Sequence, residues 1–222
     1  MSLLPLVSTV PTVPTVPTVS TVSTVPTVPT VPTAAADIGR DLVRRYGEPH
    51  RRYHDLRHLG EVLDAVDDLA GLADDPDAVR LAAWFHDAVY DVRSAPAANE
   101  AASADLAASW LAQVDPARVD EVVRLVLLTA THDPAPTDAN GQVLCDADLW
   151  VLGSMPARYA QYAADVRAEY GHVPDDAYAA GRSAVMGALL AHDRLYATPT
   201  AHDRWEATAR ANVKAELADL LP

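Results

Sequence analysis

Apolar residues recur at helical spacing along most of the chain. Leu56, Leu59, Leu63, Val66 and Leu69 follow one another at steps of three and four, which predicts an amphipathic helix over 53–70. The same periodicity predicts helices over 37–46, from Pro76 to about Tyr90, and over 97–113, 116–132, 142–152, 156–170, 175–192 and 203–220. Pro76 suits a first helical position, where its missing N–H goes unused. Asp133 to Gly141 reads as a loop, because Pro134, Pro136, Asn140 and Gly141 break any regular element. No sustained β-branched alternation follows residue 34, so no sheet is predicted. The expectation is an all-α fold, a single compact domain of eight or nine helices over residues 34–222. A chain of that size buries roughly 70 % of its unfolded surface, enough for one core.

The N-terminal stretch is different. Residues 8–33 repeat Thr-Val-Pro or Thr-Val-Ser with a period of three. Recurrent proline removes backbone donors and blocks helix and sheet interiors, so residues 1–33 are expected to be a disordered, extended segment. It reads either as a docking arm or as a dispensable expansion.

Charge narrows the possible partners. The 222 residues carry a formal net charge of −14, and the first 36 contribute no ionisable side chain. Such an acidic body repels phosphates, so duplex nucleic acid is not an expected partner. Cys145 is the single cysteine, which excludes an internal disulfide and a multi-thiolate metal site and suits a reducing cytoplasm, the expected location. No run of about 18 apolar residues exists, so no membrane helix is expected. The start of the chain lacks a basic region, and Leu3–Val7 is too short an apolar run for a signal peptide. Lys214 is the sole lysine, so any anion held by a cationic side chain falls to arginine, which binds phosphate and carboxylate bidentately.

Chemistry is expected where ionisable residues interrupt apolar helices. Leu81 to Tyr90 is apolar nearly all round, yet carries His86 and Asp87. An unpaired buried carboxylate costs several kcal/mol, so Asp87 needs a cation, a strong donor or water. An arginine partner for Asp87 and a hydrogen-bonded core position for His86 would also meet that need. Val143 to Leu152 is likewise apolar around Asp146 and Asp148, and positions two apart on a helix point to nearly opposite sides, so only one of these faces the centre. His54 and His58 are four apart and share a helix face with Arg57. His-Asp pairs occur five times, and those at 192–193 and 202–203 sit in polar surroundings and read as surface. Three helices offering acid or imidazole to one interior favour a shared metal ion with oxygen and imidazole ligands: Mn, Fe, Zn, Ni, Co or Mg.

These residues, in this order, resemble the HD superfamily of metal-dependent phosphohydrolases. The likeness is carried by Glu48-Pro49-His50-Arg51-Arg52-Tyr53-His54-Asp55-Leu56-Arg57-His58, Trp84-Phe85-His86-Asp87-Ala88-Val89-Tyr90-Asp91, Asn99-Glu100, Ser103-Ala104, Thr131-His132, Asp146-Ala147-Asp148-Leu149 and Gly181-Arg182. It looks closer to a small bacterial branch of predicted metal-dependent HD phosphohydrolases and spans about residues 37–218.

The resemblance implies metal ligation by His58, His86, Asp87 and Asp148, with the Ala147-Asp148-Leu149 context selecting Asp148 over Asp146. The Tyr53-His54 to His58 stretch is also similar to the active-site helix of cyclic-nucleotide phosphodiesterases, which makes His54 the proton donor; the asparagine that follows that histidine there is Asp55 here. His54 and Asp87 are thus the catalytic candidates, and Arg57, Arg51, His132, Arg182 and Glu100 the substrate candidates. His132 reads as a substrate contact or as a ligand to a second ion, and Glu100 as a residue holding water or a second metal, or as a solvated acid. The implied activity is hydrolysis of a small phosphorylated compound or nucleotide by a metal-activated water. The alternatives are a metal- or nucleotide-binding sensor without turnover, an iron-dependent oxygenase on the same ligands, and a helical protein with satisfied core histidines.

Overall fold

The computed structural model describes residues 31–220, with side chains from residue 34 onward. The expectation for residues 1–30 lies outside the described residues. The described chain is all-α: nine α-helices linked by turns and three short 3-10 segments, with no strand among the described residues. In chain order the helices are α1 (Val31–Tyr46), α2 (Leu56–Leu69), α3 (Pro76–Phe85), α4 (Ala98–Val114), α5 (Val119–Leu128), α6 (Ala139–Asp148), α7 (Pro156–Glu169), α8 (Asp175–Ala191) and α9 (Pro199–Leu220). Among the described residues no helix is long and apolar enough to cross a membrane.

Helix α3 is the centre of the packing and touches α2, α4, α5 and α6. Its inward residues are small or compact, Ala78, Val79, Ala82, Ala83 and Phe85, all buried. Small residues let the neighbouring helices approach closely, and the side chains at the ends of α2, α3 and α6 meet as a result. Helix α9 packs on α8 and on the 3-10 turn Leu149–Gly153 that follows α6. Gly153 is required there, since a Cβ would lie 2.5 Å from Cβ of Trp205 in α9.

Several boundaries differ from the sequence reading. The stretch read as a loop up to Gly141 is helical from Ala139, because the Asp138 carboxylate accepts the Gly141 N–H and caps α6. Helix α5 ends at Leu128 rather than 132, and α9 starts at Pro199 rather than 203. The first helix begins at Val31 rather than 37, so the last repeat unit, Val31-Pro32-Thr33, enters α1; proline is tolerated in a first turn. Helix α2 begins at Leu56 rather than 53, because the Asp55 carboxylate accepts the N–H groups of Arg57 and His58 and so caps the helix. Helix α3 stops at Phe85 rather than near Tyr90. The Arg51 guanidinium binds the carbonyls of Asp87 and Ala88 at 2.7 and 3.2 Å, supplying the donors that a continued helix would have supplied. The 142–152 helix is α6 up to Asp148 and a 3-10 turn beyond it.

Candidate metal centre

His58 lies on the inward stripe of α2, four residues before Val62, and is buried; Leu56, read as part of that stripe, is 44 % exposed. His86 caps the end of α3, and Asp87 follows it in the turn. Asp148 closes α6. Their polar atoms converge. His58 Nε2 and His86 Nε2 are 3.2 Å apart, and Asp148 Oδ1 lies 3.3 Å from the first and 3.4 Å from the second. Asp87 Oδ2 lies 3.4 Å from His58 Nε2 and 3.2 Å from His86 Nε2.

The spacing suits a cation. Ligands ~2.1 Å from a tetrahedral ion stand ~3.4 Å from one another, and neighbouring ligands of an octahedral ion ~3.0 Å. The three edges of the His58, His86 and Asp148 trio fall within that range, and this group could hold a metal ion. The tautomer agrees. His86 Nδ1 lies 2.7 Å from the carbonyl of Ala83, so Nδ1 carries the proton and Nε2 of the neutral ring offers a lone pair. Without a cation, the ring nitrogens and carboxylate oxygens face one another with fewer protons than contacts.

The four groups are strongly coupled electrostatically. Burial disfavours charge on all four groups, yet mutual attraction outweighs it. The carboxyls of Asp87 and Asp148 are held well below the usual carboxylate range, chiefly by His86, with His54 adding to it at Asp87 and His132 at Asp148. The imidazoles are pushed up, His58 by its contacts to Asp148 and Asp87, and His86 by Asp87, Tyr46 and Asp148. These shifts belong to the cluster without a cation; a divalent ion would take the place of the imidazole protons and neutralise the two carboxylates.

His54 stands beside this cluster, off the helix. The Asp55 cap ends the shared-face argument that joined His54, Arg57 and His58 on one turn. Its ring is placed by tertiary partners instead. Nδ1 lies 2.7 Å from Glu169 Oε2, and the ring stacks on Tyr90 at 4.1 Å between centroids. Glu169, at the end of α7, is itself fixed: its Oε1 accepts the N–H groups of Arg52, Tyr53 and His54 at 2.7, 2.8 and 3.0 Å, and Tyr90 donates its hydroxyl to Oε2. Despite burial, the hydrogen bond from His54 and these amides lower the Glu169 carboxyl to about 2. Nε2 of His54 has no hydrogen-bond partner among the described residues, and His54 borders a polar cavity of about 200 Å³ together with His58, Asp87 and Asp148.

Of the expected substrate residues, His132 and Glu100 line this cavity. His132 ends the turn after α5 in a left-handed conformation (φ 50°), with its N–H on the Leu128 carbonyl and Nε2 2.8 Å from Asp148 Oδ2. The arginines go elsewhere. Arg51 has a fully buried side chain and binds the carbonyls of His54, Asp87 and Ala88, so it shapes the turn that carries Asp87 and has no donor directed at a substrate. Arg57 is 46 % exposed and faces Glu61 and Asp165. Arg182 pairs with Glu216 at 2.7 Å, lies over the Tyr162 ring and lines a second, larger cavity. No arginine lines the small cavity among the described residues.

Sequence reasoning passed over Glu169 and Tyr90. Glu169 is 115 residues from His54, but it carried one local signal: an acid in the last turn of a helix opposes the helix dipole and calls for a tertiary partner. Asp146 satisfies the expectation that only one acid of its pair faces the centre. It accepts the N–H groups of Ala197 and Thr198, both at 2.7 Å, and so anchors the start of α9. Compared with family models, curated proteins and solved structures, the chain matches none, so its description rests on the geometry of this His/Asp cluster.

Proposed function

We propose that the protein is a metal-dependent phosphohydrolase acting on a small phosphorylated compound. The observation that carries this reading is the convergence of His58, His86 and Asp148 at ligand spacing on a polar cavity that His54 and Asp87 also line. Asp87 adjoins both imidazoles and would complete the set. Two neutral imidazoles and two carboxylates balance a divalent charge and leave positions open for water and a phosphoryl oxygen. Bound there, the ion supplies Lewis acidity and lowers the pKa of a water toward neutrality.

The chain's own residues handle orientation and protons. Glu169 fixes the His54 ring through Nδ1 and leaves Nε2 unengaged beside the cavity, so Nε2 is the atom that delivers a proton to the leaving oxygen. Asp87 accepts a hydrogen bond from the attacking water and orients it. His132, held by Asp148, contributes a donor edge to the cavity wall, and Glu100 an acceptor. The order of these residues in the chain, similar to that of the HD superfamily, supports the same roles.

The test is product formation, read by chromatography, from a panel of phosphomonoesters, nucleotides and phosphodiesters, with protein reloaded with Mn²⁺ and with the same protein in chelator. Turnover should require the ion and fall about 100-fold or more in Asp148→Ala. An ion-loaded protein that turns over no member of the panel would overturn the reading in favour of a sensor.

A further inference from the structure

The larger cavity adjoins the metal cluster and has a different chemistry. It measures about 480 Å³, within the range of small-molecule sites. Tyr53, His54 and Tyr162 line both cavities, so the two meet at His54. Beyond that junction the walls are aromatic and aliphatic: Tyr170 and Tyr178, with Val166, Val173 and Val185. Two observations suit it to an apolar ligand. A Cβ at Gly181 would meet nothing within 4 Å, so this helix position leaves the cavity open. The guanidinium of Arg182, the cationic side chain in the wall, is taken up by Glu216 and the Tyr162 ring, which leaves an uncharged surface for the occupant.

We propose that this cavity holds the leaving group of the substrate, an apolar aryl group, so that the enzyme selects aryl phosphate esters over small alkyl ones. The inference rests on the phosphohydrolase reading for its chemistry. His54 sits where the ester oxygen would pass from one cavity to the other. Water oxygen forms the new bond to phosphorus, and the bond from phosphorus to the ester oxygen breaks. The leaving oxygen takes the proton from His54 Nε2. The water keeps one hydrogen on the phosphate product and releases the other to solvent, from which His54 is reprotonated. The products are the aryl alcohol and hydrogen phosphate.

Two measurements test it. In the first, turnover of 1-naphthyl phosphate and methyl phosphate is compared in the wild type and in Gly181→Leu, a position on the cavity wall where an added Cβ meets nothing within 4 Å. The variant should lose about tenfold or more in kcat/KM for the naphthyl ester and less than about twofold for methyl phosphate. Equal losses on both esters, or none on either, overturn the proposal. In the second, 1-naphthol binding to metal-stripped protein is read by fluorescence anisotropy. It should weaken about tenfold in Gly181→Leu. If neither ester is cleaved, the phosphohydrolase reading fails, while weakened naphthol binding in Gly181→Leu still upholds the aryl pocket and unchanged binding overturns it.

Discussion

Glu169 Oε2 lies 2.7 Å from Nδ1 of His54, and the two residues are 115 positions apart. Neither is placed by its own helix: His54 precedes the cap of α2, and Glu169 ends α7. Three backbone amides and the Tyr90 hydroxyl hold the carboxylate, and the carboxylate holds the ring. The candidate acid is therefore oriented by a tertiary network.

That network predicts a dependence on leaving group. A p-nitrophenolate departs without a proton, whereas a simple alkoxide needs one. His54→Ala should slow an alkyl phosphate at least tenfold more than p-nitrophenyl phosphate, since general-acid help is worth about 10²–10⁴-fold. His58→Ala should slow both alike and lose bound metal. Equal slowing of both substrates by His54→Ala, together with metal loss, would make His54 a ligand instead.

Stability should fall in acid through Glu169. Its folded carboxyl, near 2, lies below its ordinary value of 4.5, so the stabilisation is complete above 4.5 and is lost as pH falls toward 2. Allowing for screening, the contribution is on the order of 2 kcal/mol. Asp87 and Asp148 act in the same direction. Urea unfolding at pH 6 and pH 3 should show a smaller difference for Glu169→Gln than for the wild type. An unchanged difference would mean that the carboxylate is not held as described.

Arg51 and Arg57 should separate cleanly. Truncating Arg51 leaves three carbonyls, those of His54, Asp87 and Ala88, without their donor in a buried place. Arg51→Ala should cost about 2–4 kcal/mol in urea unfolding. Arg57→Ala, at an exposed site, should stay within about 0.5 kcal/mol and leave turnover unchanged. A stable Arg51→Ala protein with raised KM would restore Arg51 to the substrate.

Much of the fold was legible, because amphipathic spacing depends on residues within two turns of each other. Helix α2 showed itself in this way, and so did the expectation that only one of Asp146 and Asp148 faces the centre; the resemblance, not the spacing, chose between them. The candidate site was legible in part: His86, Asp87, Asp146 and Asp148 stand out against apolar neighbours, while the set His58, His86, Asp87 and Asp148 was what the resemblance implied, and the structure brings their side chains together. What escaped were long-range polar contacts. Arg51 ends α3 from 36 residues away, which moved Asp87 from a helix face to a turn, and the Asp55 cap took His54 off α2. Glu169 was one acid among 31 until its partner was seen.

The metal should also stabilise the fold. An ion that binds only the folded chain adds about 3 kcal/mol at a hundredfold excess over its Kd. Chelator should lower Tm of the wild type by several degrees and leave Tm of Asp148→Ala unchanged. An equal drop in both proteins would place the ion elsewhere.

Metal content per chain is the most direct test of the central claim, that His58, His86 and Asp148, joined by Asp87, bind a divalent cation. Stripped protein is reloaded with Mn²⁺, desalted and measured by elemental analysis, with folding checked by circular dichroism. The wild type and Asp146→Asn should each retain about one ion per chain, while folded His58→Ala, Asp87→Ala and Asp148→Ala should retain far less. Equal metal content in the wild type and these three variants would contradict the site.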